Sequence, residues 1–208
     1  MKKLLLMLLV LSGVGGCAAI DYRGRQWVAD NIFYSTKLPC IEVKIADDFQ
    51  FVGRKDSERR VITEVGVRDS NNVDTAIYRF EDRKKARRVL LKLESLNVQR
   101  GWVIEELDYS QFADTLLSGK EMLSGMRFLT GIYVEDCGSY ALLTKVYIRV
   151  FGETVRFRIY YTEQVEGAWV KKSRGALTPK DITFLEAFNI RAAASFSAYP
   201  YSGMTPPT

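Results

Sequence analysis

The residues with the plainest capacity for chemistry are four arginines and a tyrosine in the second half of the chain: Arg127, Tyr147, Arg149, Arg156 and Arg158. Guanidinium groups bind carboxylates and phosphates through paired N–H donors, so a cluster of them points to anion recognition. Their spacing brings them together if Met126 to Glu163 forms three antiparallel strands. Apolar residues there keep a period of two, with Phe128, Ile132 and Val134, then Val146, Ile148 and Val150, then Val155, Phe157, Ile159 and Tyr161 on shared parity. A two-residue turn at Gly152 and Glu153 faces Val150 to Val155, Ile148 to Phe157 and Val146 to Ile159, which puts every apolar pair on one side. The other side then sets Arg149 opposite Arg156 and Tyr147 opposite Arg158, and a five-residue loop from Asp136 to Tyr140 sets Arg127 beside Arg149. Like charges across strands repel. Such a row calls for an acidic partner such as Glu105 or Glu106, or for an anionic ligand: a lipid headgroup, a glycan or a phosphate.

Other chemistry is narrowed by what the chain lacks. There is no histidine, which excludes Ser-His-Asp and Cys-His nucleophilic catalysis in their usual forms and removes the commonest transition-metal ligand. No Cys-x-x-Cys pair and no Gly-rich phosphate loop occurs, so redox, zinc and nucleotide motifs are absent. Glu105, Glu106 and Asp108 are clustered carboxylates of the kind that do acid–base work when held in a cleft, but nothing in the sequence puts them in one. The expectation is a protein that is not an enzyme and needs no cofactor or metal.

The N-terminus carries the densest signal. Met1, Lys2 and Lys3 precede an apolar run from Leu4 to Leu11, which is the basic and hydrophobic pattern of a secretory leader. The run is shorter than the roughly 20 apolar residues that a permanent span needs. Ser12, Gly13, Val14, Gly15, Gly16 and Cys17 follow, and this stretch resembles the lipobox of bacterial lipoproteins, with an aliphatic residue three before the Cys and small residues between. The resemblance implies cleavage after residue 16 and acylation of Cys17. With Ala18 rather than Asp behind the Cys, it implies an outer-membrane address facing the periplasm, the outer face of the plasma membrane being the alternative. Each buried CH₂ of an acyl chain contributes about 0.8 kcal/mol, so several chains on one Cys anchor firmly. In such a compartment disulfides persist, and the remaining pair, Cys40 and Cys137, is expected to be bonded.

The chain carries a formal charge of +5, and removal of Lys2 and Lys3 with the leader leaves +3. That mild balance gives no warrant for nucleic-acid binding. Residues 17–38 show no sustained period and read as a lipidated tether, residues 39–198 as one domain, and residues 199–208 as a tail.

Within the domain, Ile41, Val43 and Ile45 alternate, Phe51 and Val52 belong to a second strand, Val61, Thr63, Val65 and Val67 to a third and Val73 to Phe80 to a fourth, an antiparallel meander. From Asp82 the residues Ala86, Val89, Leu90, Leu93 and Leu96 fall at helical spacing. The pattern predicts a central amphipathic helix ending near Asn97, with Arg83, Lys84, Lys85, Arg87, Arg88 and Lys92 on its solvated face. Thr178, Pro179 and Asp181 signal the start of a second helix, whose apolar face, Ile182, Leu185, Phe188, Ala192, Ala193 and Phe196, suits packing on the sheet.

The fold expected is therefore α+β: a mainly antiparallel sheet with a central helix and a C-terminal helix packed on it. This element order over residues 40–198 resembles the PsbP/Mog1-like architecture, which implies a non-catalytic binding or assembly role. The functional expectation is a membrane-anchored lipoprotein serving as an accessory or protein-interaction subunit of the cell envelope, held to lipid through Cys17. A periplasmic binder of an anionic ligand through the Arg-rich face is the alternative.

Overall fold

The computed structural model describes residues 26–62, 70–82, 86–96, 103–112 and 114–203. The leader, Cys17, Thr63, Val65 and Val67 of the expected third strand, and the basic residues 83–85 lie outside them. Among the described residues the chain forms eleven strands and a single α-helix, so the expected α+β layering is corrected to a two-sheet antiparallel β architecture with one helix.

The smaller sheet has the order β1-β2-β3-β11 and the larger β4-β5-β6-β10-β9-β8-β7. In the first lie β1 (Gln26–Ala29), β2 (Ile32–Ser35), β3 (Ile41–Ile45) and β11 (Phe196–Pro200). The second holds β4 (Gln50–Ile62), β5 (Ser70–Asp82), β6 (Arg87–Leu96), β7 (Thr115–Leu123), β8 (Met126–Asp136), β9 (Ala141–Phe151) and β10 (Val155–Val165). Residues 26–35, read as tether, are thus two strands. Their Phe33 is fully buried, with its ring against Tyr78 at 4.7 Å and Phe157 at 6.2 Å between centroids. The small sheet and the helix α1 (Pro179–Ala194) together cover one face of the large sheet, and Phe33, Val43, Tyr78, Leu91, Phe157, Tyr147, Leu185 and Phe188 share one core.

The expected central helix is β6. Val89, Leu91 and Leu93 alternate on the core face and are buried, while Leu90, Lys92 and Glu94 take the other face. Leu90 is half-buried because β6 is flanked by β5 and β10 and apolar on both sides. An apolar residue on each face makes a strand mimic helical spacing. Asp82 belongs to a strand. It ends β5, buried, and its carboxylate accepts from Nε of Arg87 at 3.0 Å.

The helix α1 begins at a reciprocal cap, Thr178 Oγ1 accepting from the Asp181 N–H and the Asp181 carboxylate accepting from the Thr178 N–H. Leu185, Phe188 and Ala192 face the core, whereas Ile182 is exposed.

The turn between β9 and β10 holds three residues, Gly152 to Thr154, and pairs Val155 with Phe151. This is one residue out of step with a two-residue turn, and a slip of one exchanges the faces of every side chain on one strand relative to the other. Gly152 and Glu153 both take positive φ, at 55° and 62°, which lets the chain reverse here.

Candidate functional site

The slipped register redistributes the arginines. Arg149 pairs with Phe157 and Tyr147 with Ile159, so both lie on the core face. Tyr147 is fully buried, edge-on to Phe196 at 5.0 Å, and the Arg149 guanidinium sits 4.9 Å over the Phe151 ring. Arg156 pairs with Val150 and Arg158 with Ile148 on the outward face, and Arg127 shares that face, two residues before Leu129, which pairs with Ile148. The expected row Arg127–Arg149–Arg156 does not form, and Tyr147 does not join Arg158.

What gathers on the outward face is centred on Glu94, which sequence reasoning missed because it lay in the misread helix. Glu94 sits opposite Arg156 on β6 and is 3% exposed. Its carboxylate accepts from Arg156 Nε at 2.7 Å and lies 2.8 Å from Arg158 and 3.0 Å from Lys92. Burial pushes the Glu94 carboxyl up, but Arg158, Lys92 and Arg156 together outweigh it and hold it below its ordinary value. The acid that neutralises the arginines is therefore built into the sheet. Arg127 lies 3.7 Å from Glu106. Arg158 also donates to the Tyr160 hydroxyl at 2.9 Å.

A segment from Val103 to Phe112 crosses this face. It is held by the Ile104 N–H, which donates to the Glu153 carbonyl at 2.7 Å, and by Tyr109, stacked on Tyr133 with centroids 6.1 Å apart and planes at 3°. Glu105 and Asp108 are exposed here, and Asp108 accepts from the Ser110 N–H at 2.9 Å. They form no acid–base pair in a cleft.

On the core face Lys145 is 1% exposed. Its ammonium donates to Glu121 at 2.6 Å and to the Asn189 side chain on α1, and lies 4.5 Å from the Tyr147 ring centre. Burial lowers the Lys145 pKa and Glu121 offsets only part of that. A hollow of about 260 Å³ opens beside it. Nothing in the sequence pattern marked this lysine.

A cleft of about 920 Å³ lies at one end of the large sheet. Ala86 of the β5–β6 turn, Tyr140 of the β8–β9 turn, Val165, Trp169 and Phe184 line it with apolar and aromatic surface, and Glu166, Lys172, Lys180 and Asp181 line it with charge. Trp169 and Phe184 pack at 4.8 Å between centroids. The opposite end carries the β9–β10 turn, where Leu38 lies against Gly152, and Gln26 lines a hollow with Lys37, Leu38, Asp74 and Ser95. β10 runs eleven residues from the one end to the other, a rise of roughly 35 Å.

The cysteines lie at these two ends. Cys40 is at the Leu38 end, its carbonyl accepting from Tyr201 N–H at 3.2 Å, and Cys137 is in the β8–β9 turn at the cleft end. Both are free and exposed. A disulfide needs Cα atoms about 5.5 Å apart, so the expected bond is corrected: the length of β9 separates the thiols.

Among the described residues no three His, Cys, Asp or Glu converge as a metal site, and no helix is long and apolar enough to cross a membrane. No known protein family, curated protein or solved structure matches this chain.

Proposed function

We propose that the chain is a lipid-tethered bacterial envelope protein that works by binding a protein partner rather than by catalysis. Cys17, the acylated residue in this reading, precedes Gln26 by nine residues, a reach of at most roughly 30 Å. The observation that carries the reading is the placement of Gln26 and of the aromatic cleft at opposite ends of the large sheet. A tether at one end leaves the Trp169–Phe184 cleft open to the periplasm. Aromatic side chains of this kind are enriched at the centres of protein contacts. The Arg156–Glu94–Arg158 cluster favours a supporting role for the outward face over anion capture, since its charges already face one another.

Two measurements test this. The mass of the membrane-extracted mature N-terminus is expected to show an acylated Cys17, and Cys17→Ser is expected to release the protein from membranes. A photoreactive side chain at Tyr140 or Lys180 is expected to capture the same envelope protein, and one at Lys55, on β4, is not. Equal capture from Lys55, or a mature chain that is unacylated and soluble, would overturn the proposal.

A further inference from the structure

The small sheet turns one row inward and the next outward. The inward row is Val28, Phe33, Val43 and Ala198, and the last three are at most 1% exposed. The row beside it, Trp27, Tyr34, Glu42 and Tyr199, is in register across all four strands and faces away from the core. Trp27 and Tyr34 stack at 5.1 Å between centroids, and Tyr201 meets Tyr34 edge-on at 6.4 Å. Tyr199 is 45% exposed. Four aromatic rings thus lie on the outer face of the sheet that holds Gln26.

We infer that this face docks on the phospholipid bilayer at the headgroup level. The inference rests on the lipid-tether reading proposed above. Trp27 follows Cys17 by ten residues, so the face stays within roughly 35 Å of the acyl chains even with the intervening chain fully extended. Trp and Tyr pair an apolar ring with a polar tip and concentrate at membrane–water interfaces for that reason; here the tyrosines supply the polar tips, since the Trp27 Nε1 is buried and that residue offers ring surface alone. Lys44, exposed on the next outward row, has the long stem that lets a charge reach past apolar surface to headgroups. With Glu42 in the aromatic row, the face carries no strong net charge, so the docking depends on the aromatic rings and not on anionic lipid. None of the cleft-lining residues belongs to this sheet, so the docking face and the cleft use separate side chains.

The chain has three tryptophans, which gives a direct test in the acylated full-length protein reconstituted in phosphatidylcholine vesicles. A variant keeping only Trp27 (Trp102→Phe, Trp169→Phe) is expected to lose the larger part of its emission when the vesicles carry lipids brominated close to the headgroup. A variant keeping only Trp169 (Trp27→Phe, Trp102→Phe) is expected to be unaffected, and added salt is expected to change neither. Equal emission from Trp27 with and without brominated lipid, in protein that floats with the vesicles and whose mass shows acyl chains, overturns the docking and leaves the tether standing. A mass without acyl chains overturns the tether and the docking with it.

Discussion

The ring of Tyr109 lies across the backbone of Gly131 so closely that a Cβ at position 131 would stand 2.5 Å from the ring Cγ. Only a residue without a side chain admits this contact, and with the Tyr109–Tyr133 stack it fixes the 103–112 segment on the outward face. Gly131→Ala is expected to cost about 2 kcal/mol through overpacking and to open the segment to proteolysis. Gly119→Ala is the control, since its Cβ would meet only Thr130 Oγ1, at an ordinary 3.6 Å. Equal urea midpoints for the two variants would remove the argument.

Glu94 pairs with Lys92, Arg156 and Arg158 at once. Glu94→Gln leaves three cations around a neutral, buried amide, and a loss of about 3 kcal/mol at neutral pH is expected. The pH dependence has a definite sign. The folded carboxyl is held below its ordinary value, so its contribution is present above the ordinary carboxylate range and lost as pH falls through the folded value. Denaturation series carried below the ordinary carboxylate range, into strong acid, are therefore expected to bring wild type and Glu94→Gln together. A constant gap between them would show that the pairing contributes nothing.

Cys40 and Cys137 stand at opposite ends of the domain, each exposed. Alkylation of the native protein without reductant is expected to add one group to each. Cys40→Ser and Cys137→Ser are expected to change stability by no more than about 0.5 kcal/mol, as is usual for surface substitutions. A mass lower by two hydrogens, with no alkylation, would contradict the observed placement.

Legibility followed the range of the signal. The start of α1 could be read because Thr178, Pro179 and Asp181 act on their own backbone. The alternation of Ile41, Val43 and Ile45 could be read because β3 buries one face. β6 misled because Leu90 is partly buried on the face opposite Leu91, which blurs the period of two. The arginine row failed on a single residue, Thr154, which lengthens the turn and turns Arg149 and Tyr147 to the core face. Gly131 under Tyr109 and Lys145 beside Asn189 are contacts across long stretches of chain, and no local pattern encodes them.

Lys145 binds β9 to β7 through Glu121 and to α1 through Asn189. Glu121→Ala leaves a buried ammonium held by one amide, and a loss of about 3 kcal/mol is expected at pH 7. Burial disfavours the charged lysine, so the folded protein gives up this proton at lower pH than the unfolded chain does. Stability linked to Lys145 therefore rises with pH between its depressed folded value and the ordinary value near 10.5. Removing Glu121 depresses the folded value further, so the deficit of Glu121→Ala is expected to shrink between pH 7 and pH 9.5. Replacing both charges, Lys145→Met with Glu121→Gln, leaves no buried ion and is expected to recover most of the loss. Urea denaturation of wild type and the two variants at both pH values decides it: a deficit for Glu121→Ala that is absent at pH 7, or that grows at pH 9.5, would show that the ammonium is not held as a buried charge.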